Sequence, residues 1–235
     1  MRSFAKQFIE RNHASHVIFF DNKAVCCGGC FLLGKDKKFD DVLYVKGWRA
    51  FKRHEHLFPH PNFLFEEQCS EDDGCCGYYK LMGINIINKH SLEKCLDQHL
   101  DLFKEALGEE FDCRQFIAKL ENGSSLGSLT NEDEMLLGIL LGFGEESSKT
   151  FKDVQSNCTT LFALPSWTET YRGIDLKRPR GCKIYPLAFM GNPQSREVQD
   201  LVSMYEKELD EFWNIYQNED PLELFLKCIC SDSSK

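Results

Sequence analysis

The chain has 235 residues, and 28 Lys and Arg stand against 37 Asp and Glu, giving a net charge of −9. That balance argues against nonspecific nucleic-acid binding and against docking on anionic membranes, both of which call for a surplus of cations. A hydrophobic share of 42% with nineteen Phe supplies a real core and excludes disorder over most of the chain.

No segment reaches the roughly 18–20 consecutive apolar residues of a membrane-spanning helix. The nearest is MLLGILLGF, Met135 to Phe143. The opening MRSFAKQFIERNHASH has no uninterrupted apolar stretch of the signal-peptide kind, so the expected location is cytoplasmic. The alternative is a secreted or periplasmic protein whose leader is missing from this sequence.

In chain order, His16 to Phe20 and Phe31 to Leu33 flank the Gly-rich CCGGC at 26–30, a pattern read as strand, turn, strand. A helix is predicted over 41–57, ended by Pro59 and Pro61. PNFLF (61–65) reads as a short extended segment and SEDDG (70–74) as a turn. YYKLMGINIIN (78–88) reads as a strand with an irregularity at Gly83.

Helical signals dominate after Asn88. Ser91 caps a predicted helix in which Leu92, Cys95, Leu96, His99, Leu100, Phe103 and Leu107 follow the 3.6-residue period up to Gly108. Cys113, Phe116, Ile117 and Leu120 mark a shorter one, closed by a loop, ENGSSLGS. Thr130, with Asp133 three residues on, is read as the cap of Met135–Leu141, which is apolar on every side and is expected to be a buried central helix. Another helix is predicted over Glu145 to Cys158. Leu164 to Gly181 is the longest irregular stretch, and KIYPLAFM (183–190) reads as extended. Asn192 and Pro193 start a long helix with the stripe Val198, Leu201, Val202, Tyr205, Leu209, Phe212, Trp213 and Tyr216. Asp220 and Pro221 start the last helix.

Twelve Cys is heavy usage, and without a signal peptide it points to free thiols or a metal site. Cys27-x2-Cys30 has the spacing of a zinc knuckle, and a second pair from Cys69, Cys75 and Cys76, with Cys75 and Cys76 taken first, would complete a tetrahedral structural zinc site. Against this, Cys75 and Cys76 are adjacent, and neighbouring thiolates ligate one ion only with strain, so free thiols are the default. His54, His56 and His60 resemble a metal cluster, but residues two apart on a helix diverge, which favours a surface cluster. Gly138, Gly142 and Gly144 lack the Lys-Ser/Thr of a phosphate loop and fit close helix packing better. His99 is expected to be a packed or capping residue, and Glu206, Glu208, Asp210 and Glu211 to lie on a solvated helix face. The basic patch Lys177, Arg178, Arg180 and Lys183 reads as an exposed loop. No nucleophile elbow or H-E-x-x-H motif occurs.

Three segments, GWRAFKRHEHLFPHPNFLF (47–65), EMLLGILLGFGEES (134–147) and FMGNPQSREVQDLVSMYEKE (189–208), resemble an uncharacterised protein family of chlamydiae and similar intracellular bacteria. The resemblance implies a Trp-bearing helix leading into an HPNF turn, a Leu-Gly-rich helix before a polar one, and a long helix near the end. It implies no activity, and no functional residue is carried over from it.

The expected fold is α+β and mostly helical, with a small N-terminal sheet region packed on a helical core. One domain is expected over 1–235, with a Cys-rich, partly β part (1–89) and a helical part (90–230). The expected function is that of a soluble, non-enzymatic bacterial protein acting through protein contacts, with no nucleic acid and no cofactor. The alternative is a thiol- or zinc-dependent enzyme using the N-terminal Cys cluster.

Overall fold

The computed structural model describes residues 1–11, 15–20, 22–32, 39–72, 79–156, 172–184 and 188–231. Helices α1 (Arg2–Arg11) and α2 (Ser15–Ile18) lead into strand β1 (Val25–Leu32). HVIFF therefore begins as a helical turn instead of a strand, with Val17 fully buried and its carbonyl accepting from the Asn88 amide at 3.1 Å. The CCGGC segment is strand and not turn. Gly28 faces Ile84 and Phe31 faces Met82, so Gly29 and Cys30 together oppose the single residue Gly83. That is a bulge, which glycines absorb at little steric cost, and the irregularity expected at Gly83 is its partner.

Helix α3 (Phe39–His54) and a 3-10 turn (Glu55–Leu57) fill the predicted 41–57 helix and stop before Pro59. Strands β2 (Phe63–Asp72) and β3 (Tyr79–Asn88) pair antiparallel in unbroken register, and β3 lies at the centre of the order β1-β3-β2. Ser70 to Asp72, expected in a turn, thus belong to a strand: the ladder opposite Tyr79 to Leu81 satisfies their backbone.

The single helix expected from Ser91 to Leu107 is two, α4 (Lys89–Gln98) and α5 (Leu100–Leu107), separated at His99 with φ −116° and ψ 23°. Its cap is Asn88, whose side chain accepts from the Ser91 N–H at 3.1 Å. Next come α6 (Cys113–Glu121) and a short α7 (Leu126–Leu129), the latter beginning within the predicted ENGSSLGS loop and anchored by buried Leu126. Helix α8 (Glu134–Leu140) is capped by Asp133, whose carboxylate accepts from Met135 and Leu136 N–H at 2.9 and 3.2 Å. The Thr130 hydroxyl, expected to cap, instead donates back to the Leu126 carbonyl at 2.9 Å. Leu136, Ile139 and Leu140 are buried, but Leu137 and Leu141 are only half-buried, so α8 is central on one face alone.

Helix α9 (Glu145–Ser156) follows, and then β4 (Arg172–Asp175) pairs with β5 (Ala188–Gly191), a ribbon whose first strand lies in the stretch expected to be irregular. Helix α10 (Arg196–Tyr216) starts at Ser195, three residues after the predicted cap. Asn192 closes only a turn, accepting from the Gln194 N–H at 3.0 Å. Helix α11 (Pro221–Cys230) begins as the sequence predicts, with Asp220 accepting from Leu222 and Glu223 N–H at 3.0 and 3.3 Å.

The result is a mostly helical α+β fold with the N-terminal three-stranded sheet packed among helices, as expected from sequence. Alternation along the sheet divides two cores. Cys26, Ile84 and Ile86 join the aromatic cluster of Phe4, Trp48, Phe51 and Phe225, whereas Val25 and Ile87 join the cluster built by α4 to α8. Helix α10 ties a third cluster to the first. Val198 and Tyr205 pack with Ile174 and Phe189, and Leu209 and Phe212 pack with α1 and α11.

Candidate functional site

The predicted zinc ligands divide as follows. Cys27 and Cys30 lie on β1, their side chains outside the described residues, and Cys75 and Cys76 lie outside them altogether. Among the described residues, no group of three or more His, Cys, Asp or Glu is placed to hold a metal ion. Cys95, Cys113, Cys182, Cys228 and Cys230 carry free thiols. Burial pushes the Cys95 thiol up to about 11 and the Cys228 thiol up to about 12. Burial, helped by Asp97, takes Cys113 to about 11. Such thiols are protonated at neutral pH and are poor nucleophiles.

His54 and His56 are exposed, in keeping with a surface cluster. His60 is tied into its own turn, with Nδ1 2.9 Å from the Phe63 carbonyl and Nε2 3.2 Å from Glu55. The glycines of the GILLGFG segment serve packing: a Cβ on Gly138 would lie 2.5 Å from Ser148 Oγ, and one on Gly144 2.7 Å from Glu197 Oε1.

One group that sequence reasoning placed on a solvated face is deeply buried. Glu208 is 4% exposed, with Oε2 2.6 Å from His16 Nδ1, and Oε1 accepts from the Asn22 amide at 2.5 Å. Burial holds the His16 imidazole below its ordinary value; the hydrogen bond and charge of Glu208 oppose this, and Lys23 adds to it. Tyr205 sets its ring edge-on to His16, 5.0 Å between centroids, and donates its hydroxyl to the Gly142 carbonyl at 2.8 Å. Burial drives that phenol far above its ordinary value. The available signal was phase: Glu208 falls between Tyr205 and Leu209 on the buried side of α10.

In front of this network lies a polar cleft of about 290 Å³ between α4, the α8–α9 turn and α10. Ser91, Lys94 and Gln98 line one wall, and Glu197, Leu201 and Tyr205 line the other. Glu197 accepts from the Glu145 and Glu146 N–H groups at 2.7 and 2.9 Å, so it caps α9 across the cleft. His99, expected to be packed or capping, stands at the helix break, with Nδ1 3.8 Å from Glu145.

Across the same turn lies an apolar trough of about 410 Å³. Its floor is Leu137, Leu141, Phe143, Phe151, Phe189 and Met190, and Phe151 is 39% exposed. Glu134 is the one charged residue among the described residues lining it. No described helix is long and apolar enough to cross a membrane. Compared with family models, curated proteins and solved structures, the chain matches none of them.

Proposed function

We propose that the protein is a non-catalytic, cytoplasmic binding protein that acts through contact with a protein partner, and that the trough between α8, α9 and β5 receives an amphipathic helix of that partner. The supporting observation is the trough itself: partly exposed Leu and Phe side chains face solvent together, where scattered single ones would call for no explanation. A groove of this kind suits the apolar face of a helix, read through residues three or four apart. Charge selects the partner. The rim carries Glu134 and the chain carries −9, so the helix should be basic on its outer face. The resemblance of the three segments to the chlamydial family attaches no activity and favours no other reading. The alternative is a thiol- or zinc-dependent enzyme built on Cys27, Cys30, Cys75 and Cys76, whose side chains lie outside the described residues.

The test is titration of the labelled protein with a synthetic amphipathic peptide bearing Leu and Phe on one face and Lys on the other. Its counterpart carries Glu in place of Lys. The Lys peptide should bind, the Glu peptide at least tenfold more weakly, and Phe151→Asp should abolish binding while leaving the circular dichroism unchanged. Leu57, 60% exposed, serves as control, and Leu57→Asp should bind as the parent does. Equal binding by both peptides, no binding, or self-association through Phe151 would overturn the proposal.

A further inference from the structure

The geometry points to a second site, separate from the trough: the polar cleft binds a small zwitterion of the amino-acid class. The starting observation is Ser91. It is 3% exposed and lines the cleft, and its Oγ has no hydrogen-bond partner among the described residues. A buried hydroxyl left unpaired is costly, so a group aimed at it from the cleft would be rewarded. The other polar groups at the back of the cleft are already engaged: Tyr205 with the Gly142 carbonyl, and Asn22 with Glu208.

The walls differ in sign and in kind. On α4, Ser91, Lys94 and Gln98 follow the three-to-four spacing that places them along one face, so this wall offers donors and one positive charge. Opposite, on α10, Glu197 brings a carboxylate whose two oxygens already accept from the start of α9, leaving its remaining lone pairs and its charge to the cleft. Between them Ala24, Ile139 and Leu201 are apolar. An oxyanion head fits the α4 wall, an ammonium fits the Glu197 side, and a short apolar group fits between. A simple anion would meet Glu197 unpaired, and a simple cation would meet Lys94. The volume, about 290 Å³, lies at the lower limit of ligand pockets and suits a molecule of this size.

The experiment is calorimetric titration of the full chain with the free L-amino acids, run beside acetate, inorganic phosphate and methylamine. At least one amino acid with a short apolar side chain should bind, and its N-acetyl and its amide derivatives should each bind at least tenfold more weakly. Lys94→Met, at an exposed position, should weaken binding about tenfold, and Ser91→Ala severalfold, both without change in circular dichroism. Acetate or phosphate binding as tightly as the amino acid would overturn the zwitterion reading. So would binding unchanged in both variants. Silence across the whole panel would leave Ser91 served by water alone and overturn the site. None of these outcomes bears on peptide binding at the trough, which Phe151→Asp tests separately.

Discussion

At the scale of residues, the His16–Glu208 pair is the most deeply buried acid–base pair among the described residues. Both groups are almost wholly out of water, and their second partners, Asn22 and the Tyr205 ring edge, leave little room for solvent to repair a loss. Removing one partner of such a pair strands the other, at a cost of about 3–5 kcal/mol. His16→Leu should therefore lower the urea midpoint substantially at pH 7.5. The pH dependence has a definite sign. Burial lowers the native His16 pKa below 6.5, so the unfolded chain takes up its proton first as the medium is acidified. The stability that neutral His16 contributes is complete above about pH 6.5 and is lost as pH falls toward the native value. Urea midpoints between pH 7.5 and 5.5 should fall for the parent and lose that component in His16→Leu; equal slopes would refute the assignment. Composition could not show this pair, because its members lie 192 positions apart and only the tertiary fold brings them within 2.6 Å. The polar cleft was likewise hidden: the sequence offered Ser91 as a helix cap, Leu201 and Tyr205 as an apolar stripe and His99 as a packed or capping residue, and nothing in it brought them to one place.

At the scale of elements, the α8–α9 turn separates polar cleft from apolar trough, and glycines set its shape. Gly142 has φ +77°, and a Cβ there would collide with the Tyr205 hydroxyl, whereas Gly123, at φ +91°, has open space. Gly123→Ala isolates the backbone strain, about 1–2 kcal/mol. Gly142→Ala should cost at least about twice as much, because the Tyr205 hydroxyl must also leave the Gly142 carbonyl. Thermal unfolding of the two variants gives the comparison, and equal losses would show that Tyr205 yields freely. The cap of α8 is the second test. Burial pulls the Asp133 carboxyl up, but the Lys152 ammonium at 2.6 Å and the Leu136 and Met135 N–H groups outweigh it and hold the group below its ordinary value. Its contribution is present above about pH 4 and is lost in acid, and Asp133→Ala should cost about 1 kcal/mol at neutral pH. The same elements show what was legible beforehand. A cap followed by a proline marked the helix start at Asp220 and Pro221, but at Asn192 and Pro193 it marked only a turn, with the helix starting after Ser195. Helix starts also shifted where a long-range bond chose the cap, as Asn88 does while holding the Val17 carbonyl. The bulged strand read as a turn because Gly-Gly is ambiguous until β3 lies beside it.

At the scale of the molecule, the question is whether the Cys-rich N-terminal part and the helical part unfold together. Two features couple them. The sheet gives one face to each core, Ile84 and Ile86 to the first and Ile87 to the second, and α10 runs from the third cluster into the first. A defect in the second core should therefore be felt in the first. Leu140→Ala creates such a defect: Leu140 is buried in the second cluster, and truncation there costs about 2–5 kcal/mol. Against an expected total of about 5–15 kcal/mol, the variant should remain folded. In a Trp167→Phe background, the remaining Trp48 and Trp213 both belong to or pack on the first core, so fluorescence reports that core alone, while far-ultraviolet circular dichroism reports all helices. Under cooperative unfolding, Leu140→Ala shifts the two urea transitions equally and they superimpose. If fluorescence keeps its parental midpoint while the dichroism moves, the sheet does not transmit the loss. The chain is then two folding units, and the turn that borders both clefts belongs to only one of them.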